Sequence, residues 1–279
     1  MSEKLGQHYL INKVAGRKIV DALELESGDV VIEIGPGRGA LTFLLAKECA
    51  KIGCQIVAIE KDKRLVEILR NTVEIHGNKV EIIHGDVLKI LPNLTSRFSP
   101  LTSYKLVGNI PYYITGRLLR ILSELKEKSR RRRVGTPTEA SGPKLSVLTI
   151  QKEVAQRIAA GPPRMNLLAA IIQFWAEPKI LMHLKPKDFS PPPKVDSAIV
   201  KLKIKDQRSK IKDKEYYKFI RIIFKQPRKT IFNNLRAGLT ADGEALKARL
   251  KKFNLTGAER PENLDLEKLM ALGEYLKTL

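Results

Sequence analysis

The sequence predicts an α/β domain built on a mostly parallel sheet with an antiparallel edge, followed by a small all-helical domain. Three observations carry that expectation. Short β-branched runs alternate with helix-periodic stretches, a glycine-rich turn joins the first run to the helix after it, and the strand signal stops near residue 205. Such alternation marks parallel strands joined by helical crossovers.

Taken in order, Val30-Val31-Ile32-Glu33-Ile34 is β-branched and apolar, a buried strand, and residues 40–50 have helical periodicity. Residues 55–60 form a second strand, residues 62–76 a helix with Asp62 as its N-cap, and residues 80–83 a third strand. Residues 104–108 and 145–150 supply the fourth and fifth strands. Residues 179–184 and 198–204, joined through a proline-rich stretch, are expected to pair as an antiparallel ribbon at the sheet edge. Helical patterns then cover 214–224, 231–238, 244–253 and 266–276. The expected division is one domain over residues 1–205 and a second over 206–279. Residues 126–143, with Arg130 to Arg133 followed by Gly, Pro, Thr and Ser, read as a loop by composition. That loop is either a solvated insertion or an RNA-contacting arm.

Composition narrows the classes. The chain has 279 residues, 43% of them hydrophobic, too apolar for global disorder. Lys and Arg number 51 against 30 Asp and Glu, a formal net charge of +21. That excess points to a polyanionic partner, with nucleic acid ahead of an anionic membrane. Residues 1–7 contain no apolar signal core, and the longest apolar run, 167–175, is about half a membrane span and is interrupted by Gln173. A cytoplasmic protein with no membrane partner is expected. Cys49 and Cys54 have no His or Cys cluster nearby, so no zinc site is expected, and they read as reduced packing residues.

The turn Glu33-Ile34-Gly35-Pro36-Gly37-Arg38-Gly39-Ala40 follows a strand and opens a helix. Glycines allow the tight turn and a close ligand, and the helix start offers unpaired N–H groups. The same pattern fits the dinucleotide fingerprint, so by itself it does not separate NAD from S-adenosylmethionine. Glu60 ends the second strand, placed to accept from ribose hydroxyls. Asp86 follows the third, within reach of an adenine amine. In a parallel sheet these strand ends share one edge.

Asn109-Ile110-Pro111-Tyr112 ends the fourth strand on that same edge. Asn109 offers a side-chain carbonyl acceptor. Pro111 disfavours helix at Ile110, which frees the Ile110 carbonyl to point into the crevice. Tyr112 offers a ring for stacking. Two acceptors and a platform suit an amine on a flat ring, and such an amine needs orientation more than a strong base.

With these segments in hand, the chain resembles the ribosomal RNA adenine dimethyltransferase family, in its kasugamycin-resistance or dimethyladenosine-transferase branch. The likeness runs through Gly6-Gln7-His8-Tyr9-Leu10, the glycine turn, Asn109 to Ile114, Gln151-Lys152-Glu153-Val154-Ala155, Phe189 to Val195, Arg228-Lys229-Thr230, Asn233-Asn234-Leu235 and Arg260 to Leu264. It implies a Rossmann-like class I S-adenosylmethionine-dependent methyltransferase domain with a helical C-terminal domain that binds RNA. It implies dimethylation of two adjacent adenosines near the 3′ end of small-subunit rRNA, within a precursor subunit, during ribosome biogenesis. By that resemblance His8, Leu10, Gly35, Gly37, Glu60, Asp86 and Asn109 contact the cofactor. Asn109, Ile110, Pro111 and Tyr112 hold the target base, and Phe189 faces Tyr112 across it. The chain departs from the family pattern at Pro227-Arg228, where an Arg-Arg pair is usual, in residues 161–166, and in the arginine-rich insertion.

Between Lys194 and Arg236 stand 14 Lys or Arg and 4 Asp or Glu, a net of +10 and close to half the excess of the whole chain. This is the expected grip on the RNA backbone, with Lys194, Arg228 and Lys229 as contacts. The nearest competing expectation is a large-subunit rRNA methyltransferase of the macrolide-resistance type. An NAD-dependent oxidoreductase lacks a hydride-transfer constellation here, and the four histidines sit in no acid–base motif. An RNA-binding assembly factor without catalysis has no use for an intact Asn109-Ile110-Pro111-Tyr112. Nothing in the sequence requires more than a monomer.

Overall fold

The computed structural model describes residues 7–75, 80–97, 104–130, 142–205, 211–239 and 242–276. In chain order the first half contains β1 (Tyr9–Leu10), α1 (Lys13–Ala22), β2 (Val30–Ile34), α2 (Ala40–Ile52), β3 (Gln55–Glu60), α3 (Lys63–Ile75), β4 (Val80–His84), α4 (Val87–Arg97), β5 (Lys105–Asn109) and α5 (Thr115–Arg130). Then come β6 (Leu145–Gln151), α6 (Lys152–Ile158), α7 (Leu167–Trp175), β7 (Ala176–Leu184), β8 (Phe189–Ser190) and β9 (Ser197–Ile204). The chain continues with α8 (Asp213–Ile223), α9 (Ile231–Leu239), α10 (Gly243–Lys251) and α11 (Leu266–Leu276).

Seven strands form one sheet in the order β4-β3-β2-β5-β6-β9-β7. The pairs from β4 to β6 are parallel, and β9 runs antiparallel to β6. All five residues of β2 are buried, which is why this strand reads as a continuous apolar run rather than an alternation. The strand order reverses at β2, with β3 on one side and β5 on the other. A crevice opens at such a point beyond the carboxyl ends of the strands. A separate pair, β1 with β8, joins Tyr9 to Ser190 and Leu10 to Phe189. It lies beside the start of α1, where Asn12 caps the helix by accepting from the Ala15 N–H at 3.0 Å and itself donates to Asp188 at 2.8 Å.

Several expectations change. Helices α1, α4, α5, α6 and α7 lie outside the helical patterns read from the sequence; α4 carries Pro92 in its interior, which masks the pattern. Helix α5 runs through Arg130, so residues 126–130 are helical rather than loop. Residues 131–141 of the expected loop lie outside the described residues. Helix α3 begins at Lys63, with Asp62 accepting from the Arg64 N–H at 3.0 Å, and His76 lies outside the described residues. Cys49 and Cys54, expected to be reduced, form a disulfide. Gly53, left-handed at φ +85°, ends α2 and turns the chain back, so the Cys54 N–H meets the Cys49 carbonyl at 3.2 Å.

The chain divides into two compact units, Met1–Ala155 with Glu177–Ile204 and Gln156–Ala176 with Lys205–Leu279. A single boundary after residue 205 therefore misses the earlier crossing. The apolar helix α7 belongs with the C-terminal helices. Ala169, Ala170 and Phe174 share a core with Tyr216, Ile220, Ile231, Leu235 and Leu269, and the rings of Phe174 and Tyr216 stack at 4.0 Å. The first unit has its own core, in which α1 and α2 cover β2 and β5 through Ile19, Leu23, Val31, Leu45 and Val107. Among the described residues no helix is long and apolar enough to cross a membrane.

Candidate active site

The carboxyl ends of β2, β3, β4 and β5 surround one cavity in the first unit. Its lining includes His8, Gly35, Gly37, Glu60, Asp86, Asn109, Ile110, Pro111, Tyr112 and Phe189. These residues are scattered from position 8 to position 189 and meet because each follows or ends a strand on the same sheet edge, or lies on or next to the β1–β8 pair.

The glycine turn leaves β2 with Gly35 at φ +63° and Gly37 at φ +59°. A Cβ at Gly37 would stand 2.8 Å from the Tyr9 ring, so only glycine lets the turn lie under that ring. The Arg38 guanidinium sits 5.1 Å from the centre of the same ring. A further close approach holds the two central strands together: a Cβ at Gly108 would stand 2.6 Å from the Ile34 carbonyl. That glycine lets β5, with Asn109 at its end, press against β2 and its turn.

Glu60 is 3% exposed. Its carboxylate accepts from the backbone N–H groups of Gly37 at 3.1 Å, Lys61 at 2.7 Å and Asp62 at 2.8 Å. A carboxylate has roughly four acceptor positions, so three backbone bonds fix its orientation and still leave room for a hydroxyl donor. Asp86 accepts from the Leu88 N–H at 2.9 Å and pairs with Lys61 at 3.3 Å. Burial alone would raise the Asp86 pKa, but that N–H and the Lys61 ammonium outweigh it and hold the carboxyl below its usual range. Ile34, Ile59, Val87 and Ile110 add aliphatic walls. Two oriented carboxylates, aliphatic walls and a glycine turn without side chains together fit an adenosine-bearing ligand with free ribose hydroxyls.

On the other side of the cavity, the Asn109 side-chain N–H donates to the His8 carbonyl at 2.5 Å. That bond orients the amide and leaves its carbonyl oxygen as the end able to accept. The Ile110 N–H is taken by the Thr149 carbonyl at 3.0 Å, and Pro111 has φ −55° and ψ 131°, so the chain leaves β5 extended. The Tyr112 hydroxyl shares a 2.7 Å hydrogen bond with Ser197 Oγ. Burial raises the Tyr112 pKa, the Ser197 bond lowers it, and the Asp196 charge raises it, for a net increase. Tyr112 is thus held as a neutral phenol. The His8 ring nitrogen Nδ1 lies 2.8 Å from the Pro191 carbonyl, so it is the protonated one.

Leu10 is not among the lining residues; it packs on the core of the first unit. Phe189 is buried in that core and also lines the cavity. Lys194 in the first unit, and Arg228 and Lys229 in the second, are exposed. Sequence reasoning missed Tyr9, Lys61, Tyr113 and Ser197. Tyr9 stood inside a quoted motif without a role. Ser197 carried no signal, because its contact with Tyr112 spans 85 positions.

The ribosomal RNA adenine dimethylase family model matches residues 1–277. The ribosomal RNA small subunit methyltransferase A of Dehalococcoides mccartyi is 36% identical over 267 residues, which cover 95% of this chain and 84% of that protein. The protein of the same name from a Geobacillus species is 36% identical over 285 residues, covering 99% of this chain and 91% of its own. Among solved structures, a dimethyladenosine transferase from Plasmodium falciparum is similar with a TM-score of 0.76 and 25% identity, covering 95% of this chain and 96% of that one. The 23S rRNA methyltransferase ErmE has a TM-score of 0.73 at 23% identity, covering 96% and 99%, a likeness of fold.

Proposed function

Because the chain belongs to the ribosomal RNA adenine dimethylase family and is thus an S-adenosylmethionine-dependent methyltransferase, we propose that it dimethylates two adjacent adenosines near the 3′ end of small-subunit rRNA in a maturing subunit. The observation that carries this is the Asn109–Tyr112 cradle facing the two oriented carboxylates across one cavity. The small-subunit assignment rests on relatives of that name at 36% identity over nearly the whole chain. The likeness to a 23S rRNA methyltransferase is weaker in sequence, so the large-subunit alternative ranks second.

In this reading Glu60 takes a ribose hydroxyl of S-adenosylmethionine, Asp86 its adenine amine, and the Gly35–Gly37 turn and His8 its remaining polar groups. When bound, S-adenosylmethionine supplies an electrophilic methyl group. The protein's task is to aim a poor nucleophile. An adenine amine has its lone pair delocalised into the ring, so the Asn109 side-chain carbonyl and the Ile110 backbone carbonyl accept its two N–H bonds and turn the lone pair out of the plane. Tyr112 stacks on the base from one face, its phenol pinned by Ser197, and Phe189 bounds the other. No strong base is needed: as the methyl passed from the sulfonium to the amine, its bond to sulfur would break, S-adenosylhomocysteine would leave as a neutral thioether, and the now acidic amine would lose its proton to water. After the first transfer one N–H remains, and the same cradle accepts it for the second.

RNA contacts fall to Lys194, Arg228 and Lys229 within the basic stretch, acting on phosphates. This reading takes the protein as a monomer that acts in the cytoplasm, where the proposed substrate is matured. The test is incubation with unmodified small subunits and labelled S-adenosylmethionine, followed by nucleoside mass spectrometry. Dimethyladenosine in the small-subunit RNA is expected; its absence, or label confined to large-subunit RNA, defeats the proposal.

A further inference from the structure

One residue of the cavity lining, and one ion cluster joined to that lining through Ser197 and Tyr112, are not used by the chemistry above. Tyr113 lines the cavity and is nonetheless 64% exposed. It follows Tyr112 in the 3-10 turn Tyr112–Ile114, where successive side chains diverge, so Tyr112 reaches Ser197 while Tyr113 faces water. Among the described residues the Tyr113 ring has no stacking partner and its hydroxyl no hydrogen bond. An aromatic ring in that position is a ready surface for a base, since every base has a stacking face.

Beside the same turn, a single oxygen of Asp196 accepts from two ammonium groups, Lys185 at 2.8 Å and Lys152 at 3.3 Å. Asp196 is itself fixed: its carbonyl takes the Lys152 N–H at 3.0 Å, and the next residue, Ser197, holds the Tyr112 hydroxyl. One carboxylate against two lysines leaves one positive charge, and each ammonium has further donors with part of its surface in water. The pair is thus prearranged for a third anion, on a carboxylate whose next residue holds the Tyr112 hydroxyl.

We propose that Tyr113 and the Lys152–Asp196–Lys185 cluster form a second nucleotide subsite, which holds the RNA nucleotide adjoining the target adenosine. Tyr113 stacks on its base, and the two lysines take its phosphate. The inference rests on the proposed function, in which acceptor adenosines are neighbours. The nucleotide at Tyr113 is then the adenosine awaiting transfer or the one already modified, and the subsite governs whether both are completed.

The experiment compares wild type, Tyr113→Ala, Tyr113→Phe and Lys185→Gln. One measurement is affinity for unmodified small-subunit rRNA without cofactor, across a salt series. The other is the proportion of RNA modified at one or at both adjacent positions, by mass spectrometry of the fragment. Tyr113→Ala is expected to bind about tenfold more weakly and to accumulate RNA modified at one position, with an unchanged melting temperature. Tyr113→Phe, which keeps the ring, is expected to restore both. Lys185→Gln should lower the slope of log Kd against log salt by about one. The subsite is overturned by a Tyr113→Ala protein that matches wild type in affinity and products, by Tyr113→Phe losing as much as Tyr113→Ala, or by an unchanged salt slope in Lys185→Gln. A wild-type protein that leaves both adenosines unmodified overturns the functional reading instead, and does so before any substitution is compared.

Discussion

Glu33 stands two residues before the glycine turn's first glycine and is 1% exposed, with one carboxyl oxygen lacking a hydrogen-bond partner. Burial drives its carboxyl up to about 8, the nearby Thr42 hydroxyl opposes this, and the Glu60 charge adds to it. The folded protein therefore binds a proton there that the unfolded chain releases near 4.5. The resulting stabilisation is fully present below that value and is lost as pH rises toward 8. Glu33→Gln keeps the shape and removes the proton, so its melting temperature should fall less than that of wild type between about pH 5 and 8. Parallel curves for the two proteins would exclude a buried neutral acid. The same scale decides the role of Asn109. Its side-chain carbonyl is an aiming group, so Asn109→Ala should lose turnover by about a hundredfold while RNA affinity holds. An equal collapse of RNA affinity would make the residue structural.

At the scale of elements, the end of the sheet opposite the cavity is tied by ion pairs. Lys105, first residue of β5, is 3% exposed and pairs with Asp29 at 2.6 Å, while its ammonium also donates to the Glu24 carbonyl. Lys144, just before β6, reaches the other Asp29 oxygen at 2.7 Å, and Lys201 of β9 pairs with Glu24 at 2.6 Å. One cluster thus joins the turn before β2 to β5, β6 and β9. Burial would raise the Asp29 carboxyl, but Lys105, Lys144 and the Glu26 N–H outweigh it and depress its pKa. A depressed carboxylate stabilises the fold above the ordinary carboxylate range, and that contribution disappears as pH falls through the folded value. Lys105→Met leaves Asp29 buried with one partner fewer and should cost roughly 3 kcal/mol. Chemical denaturation at neutral pH measures it. Combining Lys105→Met with Asp29→Asn should recover part of the loss and reduce the acid sensitivity; simple additivity of the two would show that the pair is not coupled.

For the molecule as a whole, charge is the dominant long-range property. A net charge of +21 makes RNA binding a matter of counterion release. Affinity for small-subunit rRNA should fall linearly in log Kd against log salt. Arg228→Ala and Lys229→Ala should each reduce that slope by about one, with little change in the products formed. Slopes equal to wild type would remove the stretch around them from the RNA surface.

Much of this was legible along the chain. The strands β2, β3, β5 and β6 and the turn at Gly35–Gly39 carry local signatures, because β-branched burial and left-handed glycines are imposed over a few residues. Composition and spacing therefore determined the sheet edge, the glycine turn, the Asn109–Tyr112 segment and the appetite for a polyanion. Tertiary structure decided what depends on contacts across long separations. It brought Tyr9 to Ser190 and Leu10 to Phe189 through the β1–β8 pair, tied Tyr112 to Ser197, and assigned helix α7 to the C-terminal core instead of the sheet unit. It also closed the Cys49–Cys54 turn and left Tyr113 in water. An apolar stretch states that it must be buried, but only the packed fold says against what.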